Sequence, residues 1–265
     1  MPKFAWMTDL HMNFLSQKKI AEFVDSVDPE IDGIIVTGDI STGPQVSEHL
    51  RHLEEKLRKP IWFILGNHDF YRSSFAKIEK QMDLLKEHSP NLIYLTSSGV
   101  IPLTQNIGLI GHDGWYDAAW KEPLTSLVFI WDWFCIADFR ALFSNKERLG
   151  LSRERAEQAA MVVRERLRQA LSTYSTVILA THFPPWPEAD PCSFSISEKF
   201  WHPYNSSRVM GEMLSLEMSA HPDKKLIVLA GHTHGDSHIS VGKNIDVRVG
   251  GAARGSCSVK EYLSF

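Results

Sequence analysis

Ile61-Trp62-Phe63-Ile64-Leu65-Gly66-Asn67-His68-Asp69 is the stretch on which the reading of this chain turns. Five apolar residues in a row, with no polar alternation, read as a strand buried on both faces. A glycine and three polar residues then end it with turn chemistry. The same grammar recurs elsewhere. Phe4 to Met7 precedes Asp9-Leu10-His11, and Gly33 to Val36 precedes Gly38-Asp39. Val177 to Ala180 precedes Thr181-His182, and Leu226 to Ala230 precedes Gly231-His232-Thr233-His234. In open sheets of doubly buried strands, ligands gather beyond the carboxyl ends. Folding therefore collects two Asp, one Asn and several His at one edge, a set that reads as a metal site for two ions.

Outward from these strands the chain alternates with amphipathic helices, which implies an α/β layered fold. Ile20, Phe23, Val24 and Val27 recur at helical spacing, as do Val46, Leu50, Leu53 and Leu57 behind Pro44. Further helices are predicted over Ser74 to His88, Ser152 to Leu171 and Ser206 to Ala220, with short strands near Leu92 to Leu95 and Ile107 to Ile110. The end reads as a hairpin, His238 to Val241 and Ile245 to Val249, turning through Gly242-Lys243-Asn244. Two segments break the pattern. Residues 112–150 hold Trp115, Trp120, Trp131 and Trp133, and residues 183–205 hold five prolines with Trp186, Phe194 and Trp201. No repeat or linker separates the rest, so residues 1–265 read as a single domain with two substrate-side insertions.

Composition narrows the class. Hydrophobic residues at 43% and charged residues at 23% of 265 are ordinary for a globular protein. No apolar run approaches the roughly 18 residues that span a bilayer, so no membrane partner is expected. The N-terminus enters a strand at once, without a leader pattern. Cys135, Cys192 and Cys257 are odd in number and widely spaced, which fits a reducing, cytoplasmic setting. A net charge of −4 gives no basic footprint for nucleic acid.

The donor set has its own logic. Asp9 and His11 flank Leu10 at a strand end, where alternation lets both side chains point one way. Asp39 follows a glycine that admits close backbone approach, and a carboxylate has two oxygens with which to bridge two cations. Asn67 offers a neutral oxygen, and His182, His232 and His234 offer imidazole nitrogens. Mixed N/O ligands without thiolate suit manganese, iron or zinc. Two such ions about 3.5–4 Å apart can clamp an in-line displacement at phosphorus.

In order and in residue type these motifs resemble the calcineurin-like metallophosphoesterase superfamily: Asp-x-His, Gly-Asp, Gly-Asn-His-Asp/Glu, His and Gly-His-x-His. The resemblance runs from Asp9 to His234. It implies a four-layer αββα sandwich with two central mixed sheets and the site at the carboxyl ends of the strands. It also implies one metal on Asp9, His11, Asp39 and His234, and another on Asn67, His182, His232 and the second oxygen of Asp39. The implied activity is hydrolysis of a small phosphate ester by a hydroxide bridging the metals, with His68 assisting the leaving group. Ser/Thr protein phosphatases follow Gly-Asp with further Asp and Arg, whereas here Ile40-Ser41-Thr42-Gly43 follows. Purple acid phosphatases place a tyrosine where Thr42 stands. The alternatives are a nuclease of the same superfamily and an inactive scaffold that binds a protein partner.

The remaining candidates are weaker. His112 and Asp113 could line the substrate side or a surface turn. Arg254 could reach a substrate phosphate, although its glycine-rich neighbourhood lacks the lysine of a nucleotide loop. The Arg153 to Arg168 charges read as a solvated helix face over a stripe of Ala156, Ala160, Val163 and Leu167. The tryptophans of the first insertion read as core filling.

Overall fold

The computed structural model describes residues 1–119, 129–190, 202–253 and 255–265. Its first sheet has the order β11 (Glu261–Ser264), β1 (Lys3–Met7), β2 (Gly33–Thr37), β3 (Ile61–Ile64), β4 (Leu92–Tyr94). All neighbours run parallel except β11, which closes one edge antiparallel to β1. The second sheet has the order β5 (Ile101–Pro102), β6 (Ile107–His112), β7 (Thr176–Thr181), β8 (Lys225–Ala230), β10 (Ile245–Val249), β9 (Ser237–Val241). Here β5 and β9 are the antiparallel edges.

The apolar runs are continuous because each strand has two dry faces. Phe4, Trp6, Ile35, Trp62 and Ile64 of the first sheet meet Leu109, Ile178, Ala180, Ile227 and Leu229 of the second in one inter-sheet core. The alternate residues Ala5, Met7, Ile34, Val36, Ile61 and Phe63 pack under α1 (Gln17–Ser26), α2 (Val46–Leu57) and α3 (Phe75–His88). Val177, Leu179, Leu226 and Val228 do the same under α6 (Asn145–Thr173) and α7 (Arg208–Ser219). Helix, sheet, sheet, helix is the αββα sandwich that the family resemblance implied. Each large side chain so buried stabilises the fold by about 1.5–3 kcal/mol.

Helix starts follow their caps. Ser16 and Ser74 accept from the third backbone N–H of α1 and α3, and Ser144 with Glu147 forms a reciprocal box at the start of α6. That box starts α6 at Asn145, well ahead of the predicted Ser152. Between β6 and α6 the described residues include two single-turn helices, α4 (Asp132–Cys135) and α5 (Ala137–Arg140). Pro44 opens a 3-10 turn that feeds α2 instead of opening the helix itself. Among the described residues no helix is long and apolar enough to cross a membrane.

The α6 cations correct the solvated-face reading. Arg155 lies 3.5 Å from the Phe75 ring centroid, and Arg166 donates to the carbonyls of Leu95, Thr96 and Gly111 at 2.8–2.9 Å. Leu95 and Thr96 stand in a 3-10 turn beside β6, which brings their carbonyls within reach of Arg166.

Candidate metal centre

Every ligand candidate lies in the turns just past β1, β2, β3, β7 and β8. These turns are tied together before any side chain is considered. Asp9, His11 and Met12 donate backbone N–H groups to the carbonyls of Gly38, Asp39 and Ile40 at 2.9–3.0 Å. The side chains converge through backbone strain. Asp9, His11, Asp39, His232 and His234 all hold left-handed φ between 43° and 72°. Such a conformation costs a non-glycine residue on the order of 1–3 kcal/mol and persists where its surroundings over-determine it. This corrects the strand-alternation argument for Asp9 and His11: β1 ends at Met7, and left-handed turns aim both side chains.

Two glycines make room. A Cβ on Gly66 would overlap Asp39 Oδ1 and the His182 ring, and one on Gly231 would overlap Thr8 and Asp9.

Asp39 sits at the centre, almost fully buried. Its Oδ1 lies 3.4 Å from His182 Nε2, while its Oδ2 lies 3.7 Å from His11 Nε2 and 4.0 Å from His68 Nε2. On the Oδ2 side, Asp9, His11, Asp39 and His234 offer ligand atoms that all lie within 4.8 Å of one another. His11 Nε2 and His234 Nε2 face each other at 3.1 Å, and His234 Nε2 is 3.4 Å from Asp9 Oδ1. On the Oδ1 side, Asn67 Oδ1 lies 3.2 Å from both His182 Nε2 and His232 Nδ1. All the expected ligands are thus together, with Asp9, His11 and His234 grouped beside one oxygen of Asp39 and Asn67, His182 and His232 beside the other.

The donor orientations test whether cations fit. His182 Nδ1 faces the Thr37 carbonyl at 2.9 Å, so it carries a proton, and once Nε2 gives up its own proton the neutral ring presents a lone pair there. That lone pair looks at Asp39 Oδ1 and Asn67 Oδ1. The Asn67 amide cannot be turned round, because its Nδ2 donates to Asp132 Oδ1 at 2.8 Å and to Tyr71 OH at 3.2 Å. Acceptors aimed at acceptors in a buried site need a proton or a cation between them. The donor set fits divalent ions.

The charges around the site make the same demand. Burial opposes ionisation of Asp39, yet His182, His68 and His11 outweigh it and hold the carboxyl well below its ordinary value. Burial likewise opposes the charge on His182, but Asp39 and Asp9 raise it to about 10. His232 goes the other way, to about 3, through burial and the charge on His182. One imidazolium therefore stands where the carboxylates call for positive charge.

His68 is set on the rim. Its backbone N–H donates to Asp39 Oδ1 at 2.9 Å, and its ring stacks on Tyr71 at 4.3 Å between centroids. It opens onto a cleft of about 530 Å³ walled by His11, His234, Tyr71, Phe14 and Trp131.

Some supports escaped the sequence reading. Asp69 is fully buried and accepts the backbone N–H groups of Ile40, Ser41 and Gly66 at 2.7–3.2 Å, tying the Asp39 turn to the Asn67 turn. Burial, then the charge of Asp39, raises it to about 8. Asp132 accepts from both Asn67 and Tyr71. The signal for Asp69 was its place in the quoted motif; nothing in the sequence marks Asp132. Asp113 is neither a surface turn nor a cleft wall: it is buried and accepts from Leu65 N–H, Thr96 and Tyr94. His112 is partly buried, its Nδ1 accepting from Gly114 N–H, and burial with Arg166 and Arg155 lowers it to about 3. Trp115 and Trp133 fill the core as expected, but Trp131, 61% exposed, stands on the cleft. Arg254 and Trp120 lie outside the described residues.

Comparison with known proteins agrees with this architecture. The calcineurin-like phosphoesterase profile matches residues 2–236, and the chain belongs to that family. No curated protein sequence matches it significantly. Solved structures with a similar fold include phosphopantetheinyl hydrolase from Mycobacterium tuberculosis, with 16% identity and a TM-score of 0.62 over 94% of this chain and 89% of that one. A dimetal phosphatase from Danio rerio has 13% identity and a TM-score of 0.57 over 98% and 88%. The protein TT1561 of Thermus thermophilus has 16% identity and a TM-score of 0.55 over 94% and 89%. At such identities the likeness is one of fold.

Proposed function

We propose that this protein is a binuclear metal-dependent hydrolase of small phosphate esters. One cation would be held by Asp9, His11, Asp39 and His234, and the other by Asn67, His182, His232 and the second oxygen of Asp39. The observation that carries the reading is the split around Asp39, whose two oxygens face two separate groups of donors. Manganese, iron or zinc would suit these N/O donors. When bound, such ions supply Lewis acidity and lower the pKa of water towards about 7.

The chain's own residues do the rest. Asp39 and Asp9 neutralise the cations from a dry site, where charge is felt strongly. Asp132 keeps the Asn67 oxygen turned inward. His68, held against Tyr71 and 4.0 Å from Asp39 Oδ2, is placed on the open side to give a proton to the departing oxygen. We read the chain as one catalytic unit whose two insertions shape the substrate side.

The test is metal analysis of the purified chain, followed by assay with bis-nitrophenyl phosphate and nitrophenyl phosphate after loading with manganese, iron or zinc. About two metals per chain and turnover of either ester are expected. A protein that takes up metal but hydrolyses neither ester would be a binding scaffold. One that takes up no metal would remove the reading altogether.

A further inference from the structure

Beside the cleft over the metal centre lies a second space of about 300 Å³. The two share the walls Phe14, His68, Tyr71 and Trp131. Only the first is lined by the ligand candidates His11 and His234; the second runs past His68, with Asn13, Thr42, Gln45 and Arg72 along it. If His68 protonates the departing oxygen, that oxygen lies between the imidazole and phosphorus, and the arm it carries must leave past the ring. The second space, which His68 also lines, can take that arm.

Its chemistry is uneven. Arg72 is the one charged side chain other than histidine on the walls of either space among the described residues, and no carboxylate lines them. Among those residues no acidic partner takes up its guanidinium there. Its backbone is held at φ 62°, fixed by a 2.8 Å bond from its N–H to the Cys135 carbonyl. Such a conformation persists where the surroundings over-determine it, so the position of Arg72 is set by the fold. Nearby, Asn13 Oδ1 is buried without a hydrogen-bond partner, an acceptor with nothing to accept from.

We propose that this branch is the leaving-group subsite and that Arg72 selects a leaving alcohol bearing its own anionic group, with Asn13 Oδ1 accepting from a hydroxyl or N–H of that arm. The proposal rests on the hydrolase reading above. In the step, water adds to phosphorus and the bond from phosphorus to the alcohol oxygen breaks. The proton on His68 passes to that oxygen, and the products are a phosphate and a free alcohol. Guanidinium to carboxylate or phosphate contacts are charge-assisted, so the discrimination should be readable in kinetics.

The experiment compares phosphoglycolate with hydroxyethyl phosphate, whose leaving oxygens are similar in basicity and whose arms differ in charge. The metal-loaded wild type should favour phosphoglycolate by about tenfold in kcat/KM, mainly through KM. Arg72→Gln should bring that ratio close to one, and Arg72→Lys should keep part of it, with metal content unaltered in both. A second readout needs no turnover. Cys135 lines the branch, so phosphoglycolate should slow alkylation of Cys135 in the wild type and fail to do so in Arg72→Gln, as read by mass spectrometry of its peptide. Absence of wild-type preference and of Cys135 protection, or an unchanged ratio in Arg72→Gln, overturns the proposal. If the metal-loaded protein hydrolyses no ester at all, bis-nitrophenyl phosphate included, the hydrolase reading fails and this proposal falls with it.

Discussion

The two sheets bring different chemistry to the same edge. Turns after the first sheet supply Asp9, His11, Asp39 and Asn67, whereas turns after the second supply only His182, His232 and His234. Both negative charges therefore come from the N-terminal half, and the C-terminal half adds imidazoles, which would be neutral donors when they hold a cation. The lesson is a division of labour. The first sheet's carboxylates would set how strongly cations are attracted; the second sheet's imidazoles would close the coordination and make it depend on the sandwich being assembled.

Asp39 is where this asymmetry is most exposed. Asp39→Ala removes a charge facing both donor groups, and both metals should be lost. Activity should fall by about a thousandfold or more, since several kcal/mol of charge stabilisation go with the ions. His232→Ala removes one neutral donor from one side, so one metal should remain and the loss should be smaller. Metal counting on the two variants decides it: equal loss in both would erase the contrast between the sheets.

His68 also belongs to the first sheet's turns, which extends the contrast from binding to proton transfer. For alkyl esters His68→Ala should lower the rate by about 10²–10⁴-fold, the usual range for a general acid. Nitrophenyl esters, whose leaving oxygen needs little help, should suffer far less. Matching losses on both substrates would remove the acid role and leave His68 with a binding one.

A smaller effect is expected one layer out. Asp132→Ala removes the closer of the two acceptors that hold the Asn67 amide, and the acceptor of the Tyr71 hydroxyl. Groups that orient a ligand in this way typically matter by about 10–100-fold in metal affinity. The loss should fall on the ion beside Asn67 and spare the one beside Asp9 and His11, which competition with a chelator would show. An equal loss at both would mean that Asp132 supports the whole site and not one side of it.

The contrast between legible and hidden parts follows the reach of the interactions. Doubly buried strands announce themselves because both faces must be apolar, so Ile61 to Leu65 or Leu226 to Ala230 can be read without neighbours. Polar residues directly behind them stand out for the same reason. β11 does not, because Glu261-Tyr262-Leu263-Ser264 is a short edge whose outer residues are partly exposed, and its identity comes only from pairing with β1. Asp132 is out of reach as well. Its partner Asn67 lies 65 residues away, and its own segment has no strand to mark it. Arg155 and Arg166 misled in the opposite direction, since a charged helix pattern does not say which cations fold back onto rings and carbonyls.

The gentlest test concerns the charge balance that joins the sheets. In the metal-free protein His182 keeps a proton up to about 10 because Asp39 and Asp9 hold it, against an ordinary value of 6.5. A histidine with a raised folded pKa contributes stability that is complete below the unfolded value and disappears as pH climbs through the folded one. Metal-free protein should thus lose stability between about pH 6.5 and 10, by at most about 1.4 kcal/mol per pH unit for one proton. For a chain of this size that is about 2–4 °C in Tm per unit. A bound cation replaces the proton's charge and does not titrate away, so the gain in Tm on adding manganese should widen steadily over the same window. His182→Gln should flatten the metal-free slope while leaving the carboxylates in place. A slope unchanged in that variant would place the linked proton elsewhere, and the second sheet would then contribute coordination without any share in the charge balance.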